Sequence, residues 1–246
     1  MNRLIAALIA FLCTGSLGAD VITTHGNLKL IHARATRTPQ KITIKITEPA
    51  QNQIVSGPDV TVQFKAQNWI PEKNGKHFHF ILDNEPFESH FSQDPFVFRN
   101  VSAGAHVIRV FPVYPWHESV KQQNAIGIVQ FYVKEKSGTV PLDPARPMLI
   151  YSTPAGIHES NERLPGQPQP GILIDWFLRN VSMGSKAGYF VRISVDGEPL
   201  MSMKEWRPHY VQGLKPGEHR IKLELLKNGA PVQENWSVTE RTITVK

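Results

Sequence analysis

The strongest constraint in this sequence is that its C-terminal half repeats its middle in register. Residues 82–87 (LDNEPF) recur as residues 195–200 (VDGEPL) at an offset of 113 positions, and the same offset carries Gly104 and His106 onto Gly217 and His219. Residues 64–68 (FKAQN) fall on 176–180 (WFLRN) at 112, so one residue has been inserted in the intervening loop. Residues 48–50 (EPA) fall on 153–155 (TPA) at 105, which gives the second copy about seven extra residues, around 165–170 (PGQPQP). Such a chain is expected to fold as two similar units, each with its own core, and 246 residues are enough for both.

Within each copy the apolar residues alternate. Ile42, Ile44 and Ile46 are separated by Thr and Lys, and Val60, Val62, Phe64 and Ala66 by Thr, Gln and Lys. Phe78, Phe80 and Leu82 continue the pattern, as do Ile108 and Val110, then Val129, Phe131 and Val133; Val191, Ile193 and Val195 repeat it in the second copy. Period two with one apolar face means half-buried strands. Asp83-Asn84 and Asp196-Gly197 supply turn chemistry, and 19 Pro with 17 Gly punctuate the rest. The expectation is all-β: about seven short strands per copy in an antiparallel sandwich.

The order of an apolar strand, L/V-D-x-E-P, a variable stretch, then G-x-H leading into I-x-V or I-x-L resembles immunoglobulin-like or fibronectin-III-like modules of secreted bacterial proteins. The resemblance implies two tandem β-sandwich domains, 40–136 and 147–246, acting as binding, spacer or adhesion units. Residues 137–146 form a Pro-rich linker between them, and residues 20–39 read as a polar lead-in.

Residues 1–19 read as an export signal. Asn2 and Arg3 are followed by a ten-residue apolar run (4–13, LIAALIAFLC) and by small residues (14–19, TGSLGA) that suit cleavage after Gly18 or Ala19. Ten apolar residues are too few to span a bilayer, and no later stretch is longer, so no transmembrane helix is expected in the mature chain. The single cysteine, Cys13, leaves with this signal, and an exported chain without disulfides fits a periplasm or extracellular space reached by Sec-type export. The competing reading is a lipoprotein acylated at Cys13, which Leu12 opposes because that position usually holds a small residue.

Chemistry is sparse. His77 and His79 are two apart on a strand whose core face is Phe78, Phe80 and Leu82, so both imidazoles project from the other face and can offer nitrogen to one metal ion, with His90 or His117 completing the site. The second copy has Phe190 and Arg192 at the matching positions, so the fold does not require histidine there. Imidazoles alone suit Cu(II), Zn or Ni. Met201 and Met203 form a soft thioether pair suited to Cu(I), which together with the histidines makes copper the one cofactor to expect, if any. His106 recurs as His219, which favours a structural role for both. Tyr114, Trp116, Trp206 and Tyr210 lie in aromatic, proline-rich clusters of the kind found at binding hot spots, with sealing of the sandwich ends as the alternative.

The formal charge of +6 becomes +5 without Arg3 and is spread along the chain, so no nucleic-acid partner is expected. There is no G-x-S-x-G elbow, H-E-x-x-H, P-loop or dinucleotide fingerprint. The leading expectation is a non-enzymatic, exported two-module protein that binds an envelope protein or ligand or spaces envelope components. The alternative is a periplasmic copper-type metal binder using His77 and His79. A minor one is a periplasmic chaperone-like assembly factor, since fimbrial chaperones also pair two immunoglobulin-like domains; residues 125–133 imitate their donated strand, but their Arg and Lys pair has no counterpart here.

Overall fold

The computed structural model describes residues 21–140, 142–186 and 188–246; the segment read as an export signal, with Cys13, lies outside them. The regular secondary structure of the described residues is almost wholly β-strand, with one 3-10 turn at Glu234–Trp236. No helix among them is long and apolar enough to cross a membrane.

Strands β1 (Val21–His25) and β2 (Leu28–His32) form an N-terminal hairpin across Gly26 and Asn27, where Gly26 takes the positive φ that a two-residue turn requires. The first copy contains β3 (Thr43–Glu48), β4 (Ile54–Val55), β5 (Val60–Gln67), β6 (His77–Leu82), β7 (Glu88–His90), β8 (Phe96–Phe98), β9 (Gly104–Val113) and β10 (Gly127–Val133). The second contains β11 (Met148–Thr153), β12 (Gly156–His158), β13 (Ile172–Arg179), β14 (Tyr189–Val195), β15 (Glu198–Met203), β16 (His209–Gln212), β17 (Gly217–Lys227), β18 (Ala230–Pro231) and β19 (Val238–Val245).

The first copy forms the sheets β3-β5-β8 and β4-β10-β9-β6-β7; the second forms β11-β13-β16 and β12-β19-β17-β14-β15 in the same order. The chain is therefore two tandem immunoglobulin- or fibronectin-III-like β-sandwiches. In both, the first strand meets a bulge (at Ile46/Glu48 and at Tyr151/Thr153), reaches a proline with no N–H to donate, and continues as a short strand pairing parallel with the last strand of the opposite sheet. The first core is built on Ile42, Val62, Phe78, Phe80, Ile108 and Phe131, and the second on Ile174, Trp176, Val191, Ile193, Leu223 and Ile243.

The repeated D-x-E-P and G-x-H motifs are two halves of one latch. Asp83 Oδ1 accepts from the backbone N–H of Val107 at 2.9 Å and Oδ2 lies 2.8 Å from His106 Nδ1, while His106 Nε2 lies 3.0 Å from the Ser102 carbonyl. Asp196, Arg220 N, His219 and the Lys215 carbonyl repeat this at 2.8, 2.7 and 2.8 Å. The latch ties the hairpin turn after β6 or β14 to the start of β9 or β17, so its histidines are structural.

Three features depart from a simple pair of modules. Residues 21–32, within the segment read as a polar lead-in, are strands: β2 pairs with β16 (Leu30 opposite Val211, His32 opposite His209), so the N-terminus extends a sheet of the C-terminal module. Secondly, β9 is buried almost without interruption, from His106 through Val113, as is β11 throughout. Both faces of these strands are covered because a third apolar core lies between the modules, where Ile81, Phe111, Val113 and Ile126 of the first meet Met148, Ile150 and Phe177 of the second. Thirdly, the linker is pinned: Asn235 accepts from Asp143 N at 2.6 Å and donates to the carbonyls of Asp143 and Pro147.

The interface also buries charge. Asp175 accepts from Ser119 N at 2.7 Å and Ser119 Oγ at 2.6 Å and pairs with Lys121, so a carboxylate of the second module is satisfied by the first.

The two latches differ in burial, since the Asp83 side chain is 29% exposed and that of Asp196 47%. Asp83→Ala is expected to cost about 2 kcal/mol and Asp196→Ala about 1 kcal/mol. Urea denaturation checks the ranking, and a larger loss at Asp196 contradicts it.

Candidate metal centre

His77 and His79 project from the outer face of β6, and register places Val113, the last residue of β9, opposite His77. The turn after β9 therefore begins beside His77. It is closed by Tyr114 N to the Glu118 carbonyl (2.9 Å) and His117 N to the Tyr114 carbonyl (2.8 Å), and His117 adopts φ 68°, a left-handed conformation uncommon outside glycine. That backbone turn swings the His117 imidazole back over β6. Glu118 anchors the turn, accepting from Thr36 N (2.7 Å), Thr36 Oγ1 (2.8 Å) and Trp116 Nε1 (2.9 Å).

The outcome is a three-histidine cluster. His77 Nε2 lies 3.2 Å and His79 Nε2 3.0 Å from His117 Nδ1, and one nitrogen from each ring falls within 4.8 Å of the others. Three nitrogens bound tetrahedrally to one ion at 2.0–2.1 Å would sit about 3.3 Å apart, close to the two distances from His117 Nδ1.

The outer nitrogens orient the rings. His77 Nδ1 donates to the Gly75 carbonyl at 2.9 Å, which leaves Nε2 of the neutral ring as a lone pair aimed into the cluster. His79 Nδ1 is 3.0 Å from Ser152 Oγ, a hydroxyl supplied by the second module. Between neutral rings, one proton among the three facing nitrogens makes one good bond and leaves another lone pair without a donor. A metal ion satisfies all three.

The walls are aromatic. Phe87 stacks on His79 with centroids 3.7 Å apart and planes 5° apart, and Phe91 stacks on His77 at 4.5 Å. His77 and His79 are buried, whereas His117 is only half-buried and faces the solvent side. Burial pushes all three imidazoles down. His79 is held well below the ordinary range by burial, then by the fields of His117, His77 and Arg241; His117 is lowered to about 4 by burial, then by His77 and His158. For His77, burial outweighs the opposing bond to Gly75. Neutral imidazole is the ligand form, so these rings are poised to bind a cation without first losing a proton.

His90 does not join them. Phe78 pairs with His90 across β6 and β7, so His90 lies on the core face, against Phe80 and Phe96, with Nε2 2.8 Å from the Asp94 carbonyl. Of the expected binding aromatics, Tyr114 and Tyr210 are buried, at 6% and 0% exposure, and present no surface to a partner. Tyr114 is stacked on Trp116 and edge-on to Trp69. Trp116 and Trp206 are half-buried: Trp116 bonds Glu118 and seals the first core, and Trp206 donates to the Trp176 carbonyl at 2.8 Å and packs on Phe177. Ser152 and His158, which bear on the cluster from the second module, have no spacing signal relative to His77, and only the fold brings them close.

No family model matches this sequence, nor does any curated protein. Solved structures similar to it include the fibronectin(III)-like modules of CbhA from Clostridium thermocellum, at 14% identity over 82% of this chain and 93% of that one, with a TM-score of 0.30. The central fibronectin-III array of RIM-binding protein is 13% identical over 83% and 70%, with a TM-score of 0.26. SGBP-B of the Bacteroides ovatus mixed-linkage glucan utilization locus, solved with a mixed-linkage heptasaccharide, is 11% identical over 84% and 71%, with a TM-score of 0.25.

The lowered imidazoles have a consequence for stability. The unfolded chain takes up protons at these histidines near pH 6.5, whereas folded His117 does so only near 4. Between these values the unfolded state binds more protons, so stability falls as pH drops through the window. The metal-free protein should lose urea resistance between pH 6.5 and 4.5, and NMR titration should place His117 near 4. His219 should titrate above 6.5: burial lowers it, but the bond to Asp196, the bond to the Lys215 backbone and the Asp196 charge together outweigh that burial. A His117 midpoint near 6.5 contradicts the buried cluster.

Proposed function

We propose that this is an exported, non-enzymatic two-module protein that binds a transition-metal ion of the copper type at His77, His79 and His117. The observation that carries the reading is the convergence of three neutral imidazole nitrogens, with His77 held by the Gly75 carbonyl in the tautomer that aims its lone pair inward. Three imidazoles with no carboxylate or thiolate in the set suit Cu(II), Zn or Ni, and the half-buried His117 leaves a fourth position open to water or an exchanging ligand. A site open on one side and ringed by Phe87 and Phe91 is suited to taking up and passing on an ion in the cell envelope, either a periplasm or an extracellular space. The buried interface makes the two sandwiches a rigid mount for this centre, and an envelope partner that supplies or receives the ion is the partner expected.

Calorimetric titration of the purified protein with Cu(II) and Zn(II) should show one tight equivalent per chain at the centre. His117→Ala and His79→Gln should each weaken it by 100-fold or more, and His90→Ala, on the opposite face of the sheet, should leave it unchanged. Equal binding by wild type and the His117 and His79 variants overturns the reading.

A further inference from the structure

The N-terminal hairpin also brings chemistry to the second module. His32 on β2 is directly opposite His209 on β16, and their rings meet edge to face with centroids 4.9 Å apart. Both strands turn the same side inward, because Leu30 and Val211, two residues away on each, belong to the second core. His209 is 1% exposed and lies flat on the Trp176 indole, with centroids 5.2 Å apart. Its Nδ1 is buried and has no well-formed hydrogen bond; the Arg207 backbone is its polar neighbour, and that contact opposes the lowering of the ring by burial without overcoming it.

Across the mouth of the sandwich, β15 presents Met201 and Met203 on its inward side, opposite Ile193 and Val191. Thr23 joins the two sheets: its Oγ1 is 3.0 Å from His32 Nε2 and 3.9 Å from Met201 Sδ. His32, His209, Met201 and Met203 line one pocket of about 390 Å³ that opens to solvent.

The fold does not demand these residues. Counting back 113 positions from Met201, Met203 and His209 gives Glu88, His90 and Phe96, and in the first module the same region is filled by ring packing of His90, Phe96 and Phe80. The first module also has no added hairpin.

We propose that this pocket is a second metal site, a soft one for Cu(I), with His32, His209 and Met201 as ligands and Met203 alongside. Thioethers and neutral imidazoles are the donors that monovalent copper prefers, and they carry no charge. Arg207 and Lys204 line the same pocket, and its one carboxylate, Glu205, is paired with Arg207. Among cations of one charge or two, these neighbours penalise the single charge less. Burial, followed for His32 by Arg207 and for His209 by His32, keeps both rings neutral and ligand-competent. The site shares no residue with the three-histidine centre and does not depend on it.

Ag(I), a redox-inert stand-in for Cu(I), allows a direct test by NMR on protein labelled at the methionine methyls. In a His117→Ala background, which separates the two sites, one equivalent of Ag(I) should shift the Met201 methyl and the His32 and His209 ring signals. Met201→Leu, which keeps the side-chain volume, should retain the fold and lower Ag(I) and Cu(I) affinity by 10-fold or more in competition with a chromogenic chelator. Unmoved Met201 and His209 signals, or unchanged affinity in a folded Met201→Leu protein, overturn the proposal whatever the three-histidine centre does.

Discussion

Burial of the outer face of β6 and β9 against β11 and β13 is the constraint on which the rest of this structure depends. A sandwich module on its own keeps charge on that face, and the second module does so: Arg192 pairs with Glu224 at 2.7 Å and Lys222 adds a second contact, the Arg192 and Lys222 side chains being 31% and 35% exposed. In the first module the positions 113 residues earlier are His79, Phe111 and Arg109. Covering them with Met148, Ile150 and Phe177 removes apolar surface from water and also cuts the polar groups on that face off from solvent, leaving Nε and Nη1 of Arg109 without a hydrogen-bond partner. Arg109 shows the cost. It is fully buried, reaches the Asp83 carbonyl, lies over the Trp236 ring and has its pKa lowered to about 9 by burial and then by Arg241.

The same burial gives the histidines their character. In water a pair of strand imidazoles titrates ordinarily and binds metal weakly. Sealed between Phe87, Phe111 and the second module, His79 is neutral and fixed by the Ser152 hydroxyl. His77 is fixed by a carbonyl and His117 by its turn, so the protein itself holds the three rings in the arrangement that the proposed ligand set requires. The second donor set follows a different logic. There, an edge strand that most sandwiches would leave bare is paired with the N-terminal hairpin, and the added strand carries a histidine to the mouth of the other core. One set is all imidazole and the other mixes imidazole with thioether, so they suit different oxidation states of one element.

Much of this was legible in the sequence. The repeat fixed the number of modules, and period-two alternation fixed which residues of β3, β5 and β6 face the cores. The pairing of His77 with His79 followed from alternation alone. The place of His90 did not, because it depends on the register of β6 against β7, and a shift of one residue moves a side chain to the opposite face. The interface left a trace that alternation obscured: residues 106–113 (HVIRVFPV) and 148–153 (MLIYST) run apolar on both faces, whereas residues 221–225 (IKLEL) alternate cleanly. The hairpin left one as well, in Gly26-Asn27 between two β-rich runs. Ser152 and His158 left none, since their approach to the centre depends on how two modules dock. Tyr114 and Tyr210 could be read either way from the sequence, because composition does not distinguish an aromatic that seals a core from one that meets a partner.

The most direct measurement is the number of imidazoles bound to one equivalent of Cu(II), counted from nitrogen couplings in pulsed electron paramagnetic resonance of the purified protein. Three imidazole nitrogens on a single copper, reduced to two in His117→Ala, are the expected result. A copper bound by one imidazole or none, or a spectrum unchanged in His117→Ala, contradicts a centre assembled from His77, His79 and His117.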